Sequence, residues 1–470
     1  SLAPEVFATT FGASGRPLIV LDSTDPDQVQ AATSAIDPAS TLFFVSSKSG
    51  TTIEVASLYS HFSALMEGAV GERAGLHFVA ITDPHTPLAK LAEEQGFWRV
   101  FTNPSDIGGR YSALSYFGLL PAAFVGVDVR KLLERAVEMA KASGPTTPAR
   151  EHPAVLLGAA IGVLADRGRD KLTLACSPAL KSFGSWIEQL VAESTGKEGH
   201  EVLPVPDEPP GAPDRYGDDR QFVYLKLGED ASYDAWASAI EAAGLPLARI
   251  QLADLYDLGP EFFRWEFATA VAGSSLSIDP FDEPNVQESK ENTARIIAAF
   301  EANGALPEAE PTASEGLLRV FEGDSVEAQV RELLSHATPP QYFAIMAYIE
   351  RNPATEAKLQ RLAGHVRDQR KVAVTIGFGP RFLHSTGQLH KGGTGHGVFL
   401  QVTSTDFTDV TIPGKPYGFS ILKRAQADGD LQALSGRMST VLRVHIEGDL
   451  EQGFDQMVTM VERAAATGEV

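Results

Sequence analysis

Short runs of uninterrupted apolar residues alternate with amphipathic stretches along the chain, and this alternation constrains the fold more than any other feature. Residues 17–23, 41–47 and 76–82 read as buried strands, and each is followed by a helical pattern, at 27–36, 52–66 and 85–95. A further strand is expected near residues 98–101, ahead of a loop at 103–110. Strands that are apolar on both faces and separated by helices belong to a parallel sheet covered on both sides. The first part of the chain is therefore expected to be a doubly wound α/β unit, with its sites at the carboxyl ends of the strands.

The same pattern returns twice. A turn-rich linker at 143–148 precedes expected strands at 171–177, 222–227 and 248–252, a helix at 180–193, a helix at 262–272, a strand at 275–278 and a helix carrying Lys290. Residues 301–315 are acidic and rich in Ala, Pro and Gly, and read as an exposed linker. After it come expected helices at 342–351 and 355–369, a strand at 371–376, a glycine-rich run at 377–397, a strand at 398–403, a helix at 417–428, a strand at 440–446 and a terminal helix. Three domains follow from this division: 1–142, 151–300 and a C-terminal α/β lobe at 316–470.

Composition narrows the class of function. With 39 basic against 61 acidic residues the formal charge is -22, which opposes extended contact with nucleic acid or an anionic membrane. The single cysteine, Cys176, excludes an intramolecular disulfide and a zinc site of several thiolates, so a reducing, cytoplasmic setting is expected. No apolar run reaches the ~20 residues that span a bilayer, and no secretory leader pattern opens the chain.

Chemistry concentrates at a few places. The run Ser46-Ser47-Lys48-Ser49-Gly50-Thr51-Thr52 stands where a buried strand hands over to a helix. The first N–H groups of a helix lack intrahelical partners and carry the positive end of its dipole, so this turn is suited to a phosphate. A helix needs only one Ser or Thr as a cap, and five hydroxyls exceed that need. Gly108-Gly109-Arg110-Tyr111-Ser112 brings a guanidinium to the mouth of the same sheet. Glu193, at a helix end before Ser194, Thr195 and Gly196, and Lys290, on a helix, would each be ordinary surface residues if taken alone. His384, His390 and His396 fall in the glycine-rich tail, but no Asp, Glu or Cys lies between them, so no metal site is expected.

The motifs SSKSGTT, GGRYSALS, EQLVAESTGK and DPFDEPNVQESKENT occur in this order, and together they resemble phosphoglucose isomerase, a family built from two sugar-isomerase (SIS) domains. The resemblance covers residues 1 to about 300. It implies an α/β fold of tandem SIS domains, flavodoxin-like and doubly wound, with the C-terminal lobe as an α/β extension. Ser1-Leu2-Ala3-Pro4-Glu5-Val6 resembles the tail of the family's first phosphate loop, so the first SIS domain is expected to lack the rest of that loop. With its C-terminal extension, the chain most resembles the isomerase part of fused transaldolase/phosphoglucose isomerase proteins, which leaves room for a transaldolase part joined upstream.

By this resemblance Ser47, Ser49 and Thr52 fall on phosphate ligands, with Lys48 and Thr51 in the same turn. Arg110 falls on the arginine that stabilises the enediolate, Glu193 on the catalytic base and Lys290 on the lysine at the ring-oxygen end of the sugar. The residue after Phe281-Asp282 is usually glutamine in the family and is Glu283 here. The common enzymes take their ring-opening histidine from the interval between the glutamate and lysine motifs, where this chain has only His200. The segment from Gly379 to Gly393 resembles the family's histidine segment instead, with His384 on the functional histidine and His390 on a second one. In common members that histidine comes from the partner subunit, so the tail is expected to supply it in cis, in a monomer or a homodimer.

The implied activity is interconversion of glucose 6-phosphate and fructose 6-phosphate through a cis-enediol, without metal or cofactor. The alternatives are a dual phosphoglucose/phosphomannose isomerase and a non-catalytic SIS-type regulator that binds a sugar phosphate. The regulator would need the phosphate turn but not Glu193, Arg110 and Lys290 together. A Schiff-base aldolase is disfavoured because Glu288 and Glu291, around Lys290, oppose the neutral amine that such chemistry needs.

Overall fold

A computed structural model describes residues 2–12, 16–307, 309–437 and 439–466. Ser1 of the opening motif and Glu308 of the acidic linker lie outside the described residues. Contacts divide the chain into two units. One holds the described parts of Ser1–Ala140 with Leu255–Phe263 and Thr408–Leu422; the other holds Lys141–Asp254, Arg264–Phe407 and the described parts of Lys423–Val470.

The first unit carries a parallel sheet of β1 (Phe43–Ser46), β2 (Phe78–Thr82) and β3 (Arg99–Thr102), in that order. The central strand β2 is buried at every position, as its unbroken apolar run requires. The helices Ile53–Val70 and Pro87–Glu94 connect the strands. Rings seal one face, with Phe78 stacked 5.0 Å from Phe43 and 5.3 Å from Phe97. The strand expected at 17–23 does not form: these residues join no ladder, and Ile19 is 51% exposed. A β-rich composition marks a surface that suits a sheet but does not provide the neighbour that pairs it.

The second unit holds two sheets. β4 (Lys171–Cys176), β5 (Leu203–Val205), β6 (Arg220–Leu227) and β7 (Leu247–Leu252) form a parallel sheet in the order β5-β4-β6-β7. β8 (Ala313–Glu315), β9 (Leu318–Val320), β10 (Tyr342–Tyr348), β11 (Ala373–Phe378), β12 (Gly397–Ser404) and β13 (Thr440–Ile446) form the other, in the order β11-β10-β12-β13-β9-β8. β10 to β13 are parallel, and the β8–β9 hairpin adds an antiparallel edge. In both sheets the second parallel strand lies on one side of the first and the later ones on the other, which is the flavodoxin-like arrangement of a doubly wound sheet.

Two expected elements are corrected here. The helix expected at 342–351 is the interior strand β10, flanked by β11 and β12 and buried at all seven positions. The strand expected at 275–278 is the end of the helix Leu258–Ser275 and the turn after it. Both are short apolar runs, in which a buried strand and a buried helix segment look alike. One apolar core joins Ala192, Leu203 and Val205 to Tyr342, Met346, Phe382, Leu389 and Phe399, so β5 and the helix bearing Glu193 share their packing with the tail's sheet. Among the described residues no helix is long and apolar enough to cross a membrane.

Candidate active site

In the first unit the hydroxyl string forms the turn from β1 to the helix Ile53–Val70. Thr52 stands at the N-cap, yet its side chain makes no cap bond, so the hydroxyls here do not serve as helix caps. They bond to one another instead: Ser47 Oγ lies 3.0 Å from Thr52 Oγ1 and accepts from the Gly50 N–H at 3.1 Å, and Ser49 Oγ lies 2.9 Å from Thr51 Oγ1. Gly50 has φ +69°, and a Cβ there would come within 2.8 Å of the Leu88 nitrogen, so this tight turn requires glycine. Ser47 is buried, while Ser49 and Thr51 are exposed. The Lys48 ammonium pairs with the Asp83 carboxylate and donates to the Ser105 carbonyl at 2.9 Å.

Arg110 sits in the single turn Gly109–Tyr111, beyond the carboxyl end of β3, and is 3% exposed. Its guanidinium lies 5.4 Å from the centre of the Tyr111 ring. Neither preceding glycine has a positive φ, and a Cβ on Gly109 would meet nothing within 4 Å. A Cβ on Gly108 would make only an ordinary contact with the Tyr111 ring at 3.5 Å, so neither backbone conformation nor close approach requires the glycine pair.

In the second unit, Glu193 is half-buried in the last turn of the helix Lys181–Thr195. This helix runs back from the carboxyl end of β4, so Glu193 lies towards the amino ends of the strands, where Leu203 N donates to the Asp170 carbonyl at 2.8 Å. The site rule for doubly wound sheets would not have led there. Thr195 closes the helix locally: its Oγ1 donates to the Val191 carbonyl at 2.8 Å and accepts from the Val202 N–H at 3.0 Å. The buried Lys197 ammonium lies 2.6 Å from Asp282 Oδ1, which ties the glutamate motif to the lysine motif. Lys290 is exposed on the helix Val286–Asn303, and its neighbour Glu288 pairs with Arg437 at 2.6 Å.

The two histidines lie in different surroundings. His384 ends the turn Arg381–His384 after β11 and is half-buried, and its carbonyl accepts from Gln189 Nε2 at 2.8 Å. Gln189 precedes Glu193 by four residues, so the two lie on one face of their helix. His390 is packed among Tyr342, Phe382 and Phe399, with ring centroids 6.0, 6.1 and 5.1 Å away, and among the described residues neither ring nitrogen has a hydrogen-bond partner. Burial, helped by the neighbouring Lys391 charge, lowers its pKa to about 3.

His384, His390 and His396 do not gather as metal ligands among the described residues. One other group could hold a cation by distance: Asp170, Glu201 and His396, with ligand atoms within 4.8 Å of one another. The fully buried Lys171 ammonium already balances its carboxylates, 2.9 Å from Asp170 and 3.1 Å from Glu201. Burial works to lower the Lys171 pKa, but the two carboxylates overcome it and raise the value. Sequence reasoning missed this cluster, and it missed Gln189 and Glu188 as well. Burial first, and Asp207 second, raise the Glu188 carboxyl well above its usual range. The four-residue spacing from Gln189 to Glu193 was the signal available for Gln189.

A family profile described as Phosphoglucose isomerase matches residues 6–202. The glucose-6-phosphate isomerase of Rubrobacter xylanophilus is 31% identical over 328 residues, covering 59% of this chain and 74% of that protein. That of Enterococcus faecalis is 27% identical over 293 residues, covering 54% of this chain and 65% of that protein. Among solved structures, a hypothetical protein from Thermus thermophilus superposes with a TM-score of 0.57 at 25% identity, over 63% of this chain and 80% of the other. A glucose-6-phosphate isomerase from Chlamydia trachomatis superposes with a TM-score of 0.52 at 20% identity, over 65% of this chain and 69% of the other, a likeness of fold.

Proposed function

This chain belongs to the phosphoglucose isomerase family, and from that premise we propose that it interconverts glucose 6-phosphate and fructose 6-phosphate. Ser47, Lys48, Ser49, Thr51 and Thr52 hold the phosphate. His384 and Lys290 serve ring opening, in which the carbon 1 hydroxyl loses a proton, the ring oxygen gains one and the bond between carbon 1 and that oxygen breaks. Glu193 then takes the proton from carbon 2. The electron pair left behind forms a double bond to carbon 1, and the carbonyl pair withdraws onto oxygen 1, where the permanent charge of Arg110 balances it. Oxygen 1 takes up a proton, oxygen 2 gives one up, and Glu193 delivers its proton to carbon 1, which leaves the ketone at carbon 2. These acid–base steps call for no metal and no cofactor.

The observation that carries this reading is the bond from Gln189 to the His384 carbonyl, which joins the base-bearing helix to the histidine segment within one chain. It supports a histidine supplied in cis and an enzyme that needs no second copy. The surroundings of His390 favour His384 as the ring-opening residue, because a ring with a pKa near 3 in an apolar cage stays neutral at neutral pH and is a weak partner for proton exchange.

The domain reading 1–142, 151–300 and 316–470 belongs to the same proposal, supported by the placing of β1–β3 in the first segment and β4–β7 in the second; the third sheet lies in 316–470 except for its edge strand β8, Ala313–Glu315, which falls in the stretch read as a linker. The resemblance to transaldolase fusions rests on the C-terminal extension alone, and a cytoplasmic setting on the single, buried Cys176. The test is a coupled assay on fructose 6-phosphate. Glu193→Gln should lose turnover by about 10²-fold or more with KM nearly unchanged. Turnover retained by Glu193→Gln would remove Glu193 as the base.

A further inference from the structure

Three segments that carry reacting groups in the proposed mechanism meet at one buried side chain that no motif singled out. Gln388 is 0% exposed on the short helix Thr386–Gly392, one turn beyond His384. Its Nε2 donates to the Gly196 carbonyl at 2.9 Å, just past the end of the Glu193 helix, and to Asn285 Oδ1 at 2.8 Å. Its Oε1 accepts from the Asn285 N–H at 2.8 Å, at the N-cap of the helix that bears Lys290. A main-chain N–H can only donate, which fixes the orientation of the Gln388 amide, and both amide hydrogens and the oxygen are then in use.

The surrounding backbone is shaped to this junction. A Cβ on Gly392 would come within 2.4 Å of Asn285 Oδ1, 2.6 Å of the Gly196 carbonyl and 2.8 Å of Gln388 Nε2. A Cβ on Gly196 would fall 2.3 Å from the Leu389 Cα. Glycines at both places let three backbones close on one amide. A buried amide bonded on every side holds its partners in one arrangement, because any displacement leaves a polar group unpaired in a dry place.

We propose that Gln388 is a positioning residue that sets the registry of the Glu193 helix end, the start of the Lys290 helix and the His384 segment. The proposal rests on the roles given above to Glu193, Lys290 and His384. Gln388 does not touch the sugar. It fixes where the base, the lysine and the histidine stand relative to one another, and displacement by about 1 Å in such a constellation costs about 10²-fold in rate.

Gln388→Met keeps the length and the packing but removes every hydrogen bond of the junction. Gln388→Glu keeps the acceptor for the Asn285 N–H and removes both donors. In the full chain, three quantities are measured for each: kcat and KM on fructose 6-phosphate, enzyme-catalysed interconversion of the anomers of glucose 6-phosphate, and thermal unfolding. Anomer interconversion requires ring opening but no transfer between carbons 1 and 2.

The expected result for both variants, assayed well below their unfolding temperatures, is kcat lowered about 10–100-fold, KM within about two-fold of the parent and anomer interconversion slowed as well. Asn285→Leu added to Gln388→Met should cost little more, since the same junction is already broken. A folded variant of either kind with unchanged kcat overturns the proposal, and so does a loss confined to KM. Glu193→Gln, run beside them, separates the two readings. It should abolish isomerisation and leave anomer interconversion in place; if it isomerises normally, the assignment of the base fails whatever Gln388 does.

Discussion

His384 and His390 stand in one segment, and only their environments separate them. Because the folded His390 has a pKa near 3 and an unfolded histidine titrates near 6.5, the unfolded chain binds its proton first as pH falls. Its contribution therefore lowers stability progressively from about pH 6.5 towards 3, and is absent above that window. His445, lowered to about 4 chiefly by burial and then by Arg443, acts in the same direction. His390→Phe should keep turnover within about two-fold, since the ring replaces the ring in an aromatic cage, and should flatten the loss of melting temperature between pH 6.5 and 4. His384→Gln should slow anomer interconversion by about 10²-fold. A parallel loss in both variants would refute the division of labour. At this scale the hydroxyl string was legible because its chemistry is local. Glu193 and Lys290 were legible only through their motifs, since a helix-end glutamate and an exposed helical lysine have no distinctive pattern of their own. Gln388 was not legible, because its partners lie about a hundred and two hundred residues away in sequence.

At the scale of elements, the parallel sheets could be read from short, largely apolar runs such as β2 and β4, while β10 was mistaken for a helix because burial on every side erases both periodicities. The full burial of β10 between two neighbouring strands makes it a sensitive position: Ile345→Ala, at 0% exposure, should lower stability by about 2–5 kcal/mol in a denaturant titration. The short helix Thr386–Gly392 is a different kind of element. It is too short to persist by itself and is held by its docking on the helix Lys181–Thr195. Gly196→Ala puts a methyl group against Leu389 and should lower kcat more than it raises KM, because the phosphate turn belongs to another part of the chain. A variant with parental kcat would show that the close approach carries no catalytic consequence.

At the scale of the molecule, the net charge of -22 and the mixed order of segments in the two units show how little of the assembly a linear reading reveals: residues 255–263 and 408–422 join the first unit across long stretches of the second. Linkers marked by Pro, Gly and acidic residues suggested three domains, yet side chains from two of those segments share one core. That core places the base-bearing helix and the histidine segment in one chain, and the central claim is that one chain suffices for the reaction. The most direct measurement is turnover on fructose 6-phosphate per mole of chain across a dilution series, with sedimentation reporting the mass at each concentration. Turnover that stays constant where only single chains remain is the expected result; turnover that falls in step with the loss of dimer would contradict it.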